Sequence, residues 1–431
     1  MSNKIFLATA ILAILAAGCH NSNPPLVQEA RYSRYLQAPG DKLFKTNEQL
    51  GFWAKRLQQN PNDMAARSKM AGLYAQRFGL TGHIHDMELS DSLYTIVNQV
   101  QKNFGSSVYR ALATNAITRH RFGLAAQYLD SAFRLGDDKK LTLLQMSDAA
   151  LELGYTAQAK KHLEQFPNKK SFEYFSRKAK IADHEGRLNE AIQLMEQALQ
   201  QVQQTGNEEL ACWAKTNLAD YYSHNNELKK ALQLYYEVLD ADPEYYHALK
   251  GIAWIAFSHD RNTKAAEKIV QYLARVHPVP DYLLLLAEIA AYQNDTVNRT
   301  RYMGSFIHQA GMSQYGGMYN KYLFELYANE LNDTAKALQL AEQELANRST
   351  PEVWSWLSWA QFKSGNTEQA WHIQKYYVEG KCFEPDVLYR MAQICRQKGE
   401  IKKARIFMKE VRSALFELGP SFEKELANNQ L

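Results

Sequence analysis

One unit of roughly 34 residues recurs along this chain and limits the folds it can adopt. Its clearest copy is residues 212–243, CWAKTNLADYYSHNNELKKALQLYYEVLDADP, in which two stretches with apolar residues at helical spacing flank a polar turn. The unit ends at Pro243, directly after the sequence Asp-Ala-Asp, which is typical of a helix end. The unit therefore predicts two antiparallel amphipathic helices.

A small residue that lets the second helix of each pair pack closely marks the other copies. It recurs at spacings of 34, 32, 40, 34, 72, 33 and 34 residues, at Ala125, Ala159, Ala191, Ala231, Ala265, Ala337, Ala370 and Ala404. The spacing of 72 fits two units, one of them degenerate near Arg299 or Thr300, and the spacing of 40 includes a loop insertion at 203–209. With an earlier pair between 64 and 104, the sequence predicts about ten helix pairs.

The residue types of this unit resemble the tetratricopeptide repeat. That pattern has a large residue, Leu, a small residue and Tyr in the first helix, and Ala, an aromatic residue, Ala and Pro in and after the second. The unit matches it at Leu218, Ala219, Tyr222, Ala231, Tyr235 and Pro243. It departs at Lys215, where the pattern has Trp, and at Val238, where it has Ala. The resemblance implies an all-α, tetratricopeptide-type α/α superhelix, or solenoid, over residues 47–418, followed by a polar C-terminal tail at 419–431.

Composition and charge fit a folded helical protein and exclude nucleic acid as a partner. The apolar fraction is 46%, with 21 Gly and 11 Pro, which argues against broad disorder. The net charge is only +4, from 50 basic and 46 acidic residues. No basic block with interleaved aromatic residues is present, so the electrostatic footprint of a nucleic-acid-binding protein is missing.

The amino terminus has the features of a processing signal. Lys4 precedes an apolar run at 5–18, which is too short to span a bilayer. The run ends in Leu-Ala-Ala-Gly-Cys, with the cysteine at Cys19, and this resembles the bacterial lipobox. The resemblance implies that residues 1–18 are a lipoprotein signal peptide and that Cys19 carries fatty acyl chains such as palmitate. An ordinary signal peptide with a chance cysteine is the alternative.

The residues that follow Cys19 bear on membrane and orientation. Residues 19–46 are polar and interrupted by proline and glycine, so we expect a lipidated tether that holds the folded body off the membrane and packs partly through Tyr32, Tyr35 and Leu36. His20 stands where enteric bacteria place the Asp of an inner-membrane retention signal, so the outer membrane is expected. Acidic residues after the cysteine resemble the surface-export signal of Bacteroidetes lipoproteins; their absence favours periplasmic facing over surface exposure.

The resemblance also implies which residues line the concave groove, namely positions 2, 5, 9, 12 and 13 of each first helix. The candidate partner-binding residues at such positions are aromatic rings and scattered polar or cationic side chains, which suit an extended peptide or an amphipathic helix. They are Trp213, His224, Lys250, Trp254, Phe257, Tyr319, Tyr322, Trp359, Phe362, Tyr389 and Arg396. In the alternative interpretation, many of these rings pack between neighbouring pairs and belong to the core.

Motifs for catalysis, cofactors and metals are missing or weak. No P-loop, Gly-x-Ser-x-Gly elbow, zinc-protease motif or dinucleotide fingerprint occurs, so we expect neither an enzyme nor a cofactor. His83 and His85 alternate in one turn, but no third ligand has a firm spacing, so a solvated loop is favoured over a metal site. Cys382 and Cys395 are candidates for a disulfide, and buried thiols are the alternative.

Two further patterns have a functional and a structural interpretation. Asp-Ser/Thr-apolar sequences resemble the O-glycosylation sequon of secreted Bacteroidetes proteins and also suit helix starts; their acceptor residues are Ser92, Ser131, Thr296 and Thr334. The pair Gly316-Gly317 and the insertion at 203–209 are candidate hinges, with tight turns as the alternative.

Together these features predict a non-catalytic, lipid-anchored envelope scaffold that binds a protein or peptide partner in its groove. One alternative resembles the glycan-binding lipoproteins of starch-utilisation systems, which pair with an outer-membrane transporter. Another resembles the repeat lipoproteins of the barrel-insertion machinery, so that the partner would be an outer-membrane complex. Array binding of glycans and co-purification with a barrel protein would distinguish them.

Overall fold

The computed structural model describes residues 24–37, 40–100 and 105–428. The predicted signal peptide and the predicted lipidation site Cys19 lie outside this part of the chain. Within it, all regular elements are helices, and none of these helices is long and apolar enough to cross a membrane. The expected all-α solenoid is confirmed.

The described part of the chain begins with two helices that precede the repeats. They are α1, Glu29–Tyr32, which continues into a 3-10 turn at Ser33–Gln37, and α2, Asp41–Gln59. The first five antiparallel pairs are α3 Met64–Thr81 with α4 His85–Val100, α5 Ser106–Thr118 with α6 Phe122–Leu135, α7 Lys139–Glu152 with α8 Thr156–Glu164, α9 Phe172–His184 with α10 Leu188–Gln203, and α11 Glu208–His224 with α12 Leu228–Ala241.

The remaining five pairs include two helices that end in a π-helical turn. These pairs are α13 Tyr246–Ser258 with α14 Thr263–Val276, α15 Asp281–Tyr292 with α16 Thr296–Ala310, α17 Asn320–Glu325 and its π turn Leu326–Glu330 with α18 Thr334–Asn347, α19 Pro351–Lys363 with α20 Thr367–Ile373 and its π turn Gln374–Val378, and α21 Pro385–Gln397 with α22 Ile401–Ser413. A last helix, α23 Leu415–Asn428, follows the array. Ten pairs agree with the number that the alanine spacing predicts.

The alanines that mark the repeat lie in the first turn of the second helices, where the two helices of a pair approach most closely. Their exposed fraction is 0% at six positions, 5% at Ala265 and 8% at Ala404. A larger side chain there would separate the helices, since protein cores are close-packed. In the degenerate unit, Arg299 takes this place on α16 and is half-buried.

Polar side chains at several helix starts satisfy the first free backbone amides. Asp63, Ser171 and Thr350 accept hydrogen bonds from the amides three residues on. Asp295 and Asp333 do the same at the starts of α16 and α18. Two of the Asp-Thr sequences therefore act as helix starts, in line with the structural interpretation of that pattern.

Successive turns of the superhelix touch along a line of contacts that we call the seam. At each contact, the short turn that joins the two helices of one pair meets the loop that follows another pair, five pairs further along the chain. The offset is about 195 residues along the chain: Arg119 Nε donates to the carbonyl oxygen of Gln314 over 2.9 Å. Gly154 lies against Ser349, and Gly186 lies against the ring of Phe383. The array is therefore held by long-range contacts as well as by contacts between neighbouring pairs.

Neither predicted hinge is a free joint in the structure. Gly316 has a φ of 63°, and a Cβ there would lie 2.7 Å from the carbonyl oxygen of Arg119, so glycine is needed for the seam to close. In the insertion at 203–209, Asn207 caps α11 through the amide of Leu210. Both sites correspond to the tight-turn alternative.

The amino-terminal segment is packed on the repeats, which corrects the expectation of a tether as far as residue 46. We call residues 26–37 the strap. The amides of Leu26 and Val27 donate to the carboxylate of Asp260 over 3.0 and 2.8 Å. Tyr32 and Tyr35 are buried, at 1% and 3% exposure. Because the strap is fixed to the α13–α14 turn, only the residues before it are left to act as a tether.

The carboxyl-terminal segment is likewise not the polar tail that the sequence suggests. Residues 415–428 form α23, with non-helical backbone at Gly419 (φ 82°, ψ 167°) directly before Pro420. Leu426 is 4% exposed and packs with Met408 and Val411 of α22. The helix therefore covers the apolar end of the last pair.

The three cysteines in the described part of the chain are buried free thiols, Cys212, Cys382 and Cys395. The disulfide between Cys382 and Cys395 that the sequence allows is not formed. Burial raises the pKa of the Cys382 thiol to about 12, so the reactive thiolate is disfavoured there.

Candidate functional site

The concave face of the solenoid is formed by the first helices of the pairs. On α13, positions 2, 5 and 9 of the helix point to this face, as the resemblance implies: His247 Nε2 lies 2.8 Å from Asp220, Lys250 Nζ lies 3.6 Å from Asp281, and the indole of Trp254 faces α23. These three side chains therefore lie on the side of α13 that faces α11, α15 and α23.

Ion pairs between first helices run along this face. Lys321 lies 2.8 Å from Glu352, and Arg390 pairs with both Glu325 and Asp386. Burial acts to lower the pKa of Lys250, but Asp281, Tyr322 and Asp220 together more than offset it and the pKa is raised. Lys250 and Lys321 therefore each bridge neighbouring pairs, while Arg390 bridges α21 to α17, two pairs earlier, and also pairs within its own helix.

Helix α23 lies in the groove against the fifth to seventh pairs and the last pair. It packs against α11, α13, α15 and α21, all of them first helices. The carbonyl oxygen of Phe416 accepts two hydrogen bonds, from Trp254 Nε1 over 3.2 Å and from Ser258 Oγ over 2.6 Å. His224 Nδ1 lies 3.4 Å from the carboxylate of Glu417. This half of the groove is thus occupied by the chain itself.

The rest of α23 makes polar contacts with the groove on one side and apolar contacts with the last pair on the other. Arg261 pairs with Glu423, and both side chains are partly exposed. Lys424 Nζ donates to the carbonyl oxygen of Tyr292 over 3.1 Å. On the opposite side, the ring of Phe422 meets that of Tyr389 edge-on at 4.8 Å. The helix therefore bridges the end of the array and its middle.

Glu288 of α15 faces the kink of α23. A Cβ at Gly419 would lie 2.5 Å from Glu288 Oε1, so the backbone of α23 approaches this carboxyl group closely. Burial raises the pKa of Glu288 to about 8. A protonated carboxyl group is accordingly favoured at this contact near neutral pH.

The predicted groove residues divide into three groups. Trp254, His224 and Tyr389 contact α23, and Lys250 belongs to the ion-pair row. Exposed side chains form the second group: Trp213, Tyr322 and Arg396.

The third group consists of rings that pack within the repeats, as the alternative interpretation has it. Phe257 is fully buried, and Tyr319 is 4% exposed with its hydroxyl donating to Asp281 over 2.9 Å. Trp359 is 7% exposed, donates from Nε1 to Asn329 over 2.8 Å and stacks on Phe362. Contacts between neighbouring pairs therefore account for these rings.

A cavity of about 640 Å³ lies between the two superhelical turns, next to the start of α23. Its walls include Asp183, Glu384 and Glu417 as well as the ion pair of Glu152 with Lys180. Burial raises the pKa of Glu384 to about 7 and also raises that of Glu417. Among the described residues, no group of three or more His, Cys, Asp and Glu side chains is placed to hold a metal ion.

The first half of the groove is open and was missed by the sequence analysis. A second cavity, of about 560 Å³, lies between α2, α3, α4 and α5. Its floor has small side chains, and Trp53 and Tyr94 stand beside it; the floor residues are Ala65, Ser68, Gly72, Ser107 and Ala111. Applying the position rule to α3 would have found the first three, because they occupy its positions 2, 5 and 9.

The family comparison agrees with this geometry. A tetratricopeptide repeat model matches residues 173–244, which run from α9 to the loop after α12. The fold is a solenoid of this repeat type. No curated protein matches the chain.

Solved structures of helical-repeat proteins are distantly similar. Human IFIT1, solved as a dimer with PPP-AAAA, is 15% identical with a TM-score of 0.46, and the match covers 76% of each chain. Yeast Tom70 is 12% identical with a TM-score of 0.39, over 90% of this chain and 93% of that one. PilW, a type IV pilus biogenesis factor, is 17% identical with a TM-score of 0.39, over 49% of this chain and 97% of that one.

Proposed function

We propose that this protein is a non-catalytic, lipid-anchored scaffold of the bacterial outer membrane that faces the periplasm and binds a protein or peptide partner on its concave face. Repeats of this type form extended concave surfaces that hold partner segments. The proposal joins that general role to the lipobox-like sequence at the amino terminus.

The open first half of the groove is the observation that carries the binding role. Small side chains in the lining let a partner backbone approach closely, the ring of Trp53 offers an apolar contact, and the Tyr94 hydroxyl lies against Gly72. Phe52 is 60% exposed on the same helix as Trp53, and exposed aromatic rings are common anchors at interfaces. This half of the groove therefore suits a peptide segment.

The strap supports a position close to the membrane. Leu26 is fixed to Asp260 and lies seven positions after Cys19. An extended chain of that length spans at most about 25 Å. An acyl anchor at Cys19 would therefore hold the α13–α14 turn close to the lipid surface.

Affinity capture from native membranes with groove variants tests this proposal. Ala111→Arg places a long cation on the floor of the open half-groove, and we expect it to reduce recovery of the crosslinked partner at least about tenfold, a loss of roughly 1.4 kcal/mol. Gln127→Arg, on the exposed face of α6, is the matched control and should leave capture unchanged. Equal capture by both variants would reject the groove as the binding site.

The same preparation tests the anchor and the alternative ligands. Cys19→Ala should abolish lipid labelling and leave the signal peptide uncleaved; normal labelling would reject the anchor. If a glycan array binds the protein and capture recovers no protein partner, a glycan-binding role replaces the scaffold role.

A further inference from the structure

We propose that the part of the groove covered by α23 is a second binding site, for an acidic, phenylalanine-containing helical segment of a partner protein, and that α23 occupies it as an internal ligand. The proposal rests on the scaffold function, and it names the chemistry of a ligand that this half of the groove accepts. We call the groove side chains of His224, Trp254, Ser258 and Arg261 the α23 receptor.

The receptor contacts a backbone carbonyl and two carboxylates, groups that a peptide of the right sequence also carries. Trp254 and Ser258 both donate to one backbone carbonyl, that of Phe416. His224 and Arg261 lie beside carboxylates one and seven residues later in the ligand, those of Glu417 and Glu423. The Phe416 ring also meets the Trp254 ring edge-on at 6.5 Å. Two donors for one carbonyl, an aromatic contact and two groups that accept an anion select a helical segment that is kinked between its acidic residues, as α23 is at Gly419.

The charged contacts of α23 with the receptor are of a kind that exchanges readily, whereas Phe416 and Gly419 pack against Trp254. The Arg261–Glu423 pair has side chains that are 36% and 46% exposed, and His224 is 46% exposed. Pairs that water reaches contribute little to stability. By contrast, the apolar side of α23, with Leu426 against Met408 and Val411, faces the last pair. The charged pairs on the groove side can therefore exchange while Leu426 keeps the helix attached to the last pair, and the Phe416 ring on Trp254 is the contact that must be weakened for the groove side to open.

While α23 occupies the receptor of its own molecule, an external ligand can bind only the molecules in which the receptor is open. The apparent affinity for that ligand is therefore the intrinsic affinity multiplied by the open fraction. A labelled peptide with the sequence of residues 414–428 serves as the probe, with the full-length protein as its binding partner. Phe416→Ala/Glu423→Lys weakens the internal ligand and leaves the receptor intact. We expect this variant to bind the probe at least about tenfold more tightly than the native protein.

A charge exchange identifies the receptor. Arg261→Glu, added to Phe416→Ala alone so that the internal Glu423 is repelled and not re-paired, should abolish binding of the native probe, and a probe carrying Glu423→Lys should restore it. Lys264→Glu changes an exposed cation on the neighbouring turn of α14 and should have no effect. Circular dichroism checks the fold, and the single Glu423→Lys variant, which changes only a partly exposed pair, repeats the test if the double variant unfolds.

Three results would overturn the proposal. A folded weakened variant that binds the probe no better than the native protein shows that the site takes no external ligand. Probe binding that survives Arg261→Glu places the peptide elsewhere. Dimers formed by the weakened variant through exchange of α23 would assign the site to a second copy of this chain. The capture experiment with Ala111→Arg probes the other half of the groove, so its outcome is independent of these results.

Discussion

At the scale of single residues, Glu288 of the groove is buried by its contact with α23, and this burial changes its pKa. Glu288 lies against the backbone of Gly419, and burial raises its pKa to about 8. An unfolded glutamate has a pKa of about 4.3, so the folded protein holds this proton more tightly than the unfolded chain. The stabilisation from this proton is therefore complete below about pH 4 and is lost as the pH rises through 8.

Glu288→Gln removes this titration and keeps the shape of the side chain. We expect the variant to unfold at nearly the same urea concentration as the native protein at pH 5, and to be the more stable of the two at pH 9, where the native carboxylate is charged and buried. Urea titrations at both pH values measure the difference. Glu209→Gln, on the exposed first turn of α11, should show no such pH dependence, and a parallel response of the two variants would contradict the assignment.

Some residue choices follow from contacts that a repeat pattern does not encode. Gly251 stands in the middle of α13, where glycine disfavours a helix by about 1 kcal/mol relative to alanine. The structure gives the reason: the ring of Tyr235 from α12 lies directly on it and leaves no room for a Cβ. The hydroxyl of Tyr235 then reaches Asp220 on the concave face over 2.5 Å. Sequence spacing alone does not reveal such a cross-helix contact.

At the scale of elements, the strap and α23 differ from the repeats because single contacts fix them. The carboxylate of Asp260 is 1% exposed and accepts the amides of Leu26 and Val27. A buried carboxylate that accepts two amides stabilises more than an exposed ion pair does. The strap also carries such an exposed pair, Glu29 with Lys268, whose side chains are 67% and 50% exposed.

Asp260→Ala should release the strap, because two buried amides lose their acceptor. Cleavage by trypsin after Arg31 and Arg34 measures the release, and we expect it to be at least about tenfold faster in this variant, from the loss of roughly 1–3 kcal/mol. Glu29→Ala removes the exposed pair on the same segment and should be cleaved at close to the native rate. If both variants are cleaved alike, Asp260 does not hold the strap.

The elements that the sequence predicts well are those that repeat. Ala125 and its counterparts carry the same packing requirement at each pair, so their spacing is visible without a structure. The strap and α23 occur once and are rich in polar residues, and Gly419-Pro420 looks like the start of a tail. The signal for α23 was present as Leu418, Phe422 and Leu426, four residues apart on one face. The groove positions were predictable, but their cover was not, because it depends on contacts between distant parts of the chain.

For the whole molecule, the seam distinguishes this solenoid from one in which each pair contacts only its neighbours. Such arrays have stabilities close to a sum of nearest-neighbour terms, so segments can unfold separately. Here Arg119, Gly154 and Gly186 of the first superhelical turn contact loops of the second. Because each seam contact links pairs five units apart, loosening the seam should reduce the cooperativity of unfolding.

The double variant Gly154→Ala/Gly186→Ala tests this role of the seam. A Cβ would lie 3.0 Å from the Ser349 carbonyl oxygen at the first site and 2.5 Å from the Phe383 ring at the second. Gly365→Ala/Gly399→Ala is the matched control: φ is 85° and 79° there against 86° and 72°, and a Cβ meets nothing within 4 Å. Both variants carry the cost of a left-handed alanine, about 1–2 kcal/mol per residue. Beyond this shared cost, only the seam variant should lose roughly 1–3 kcal/mol more of its free energy of unfolding. It should also show a lower urea m-value and faster amide exchange in the loop at 347–350. Equal stability and equal m-values in the two variants would mean that the turns of the superhelix lie side by side without stabilising each other.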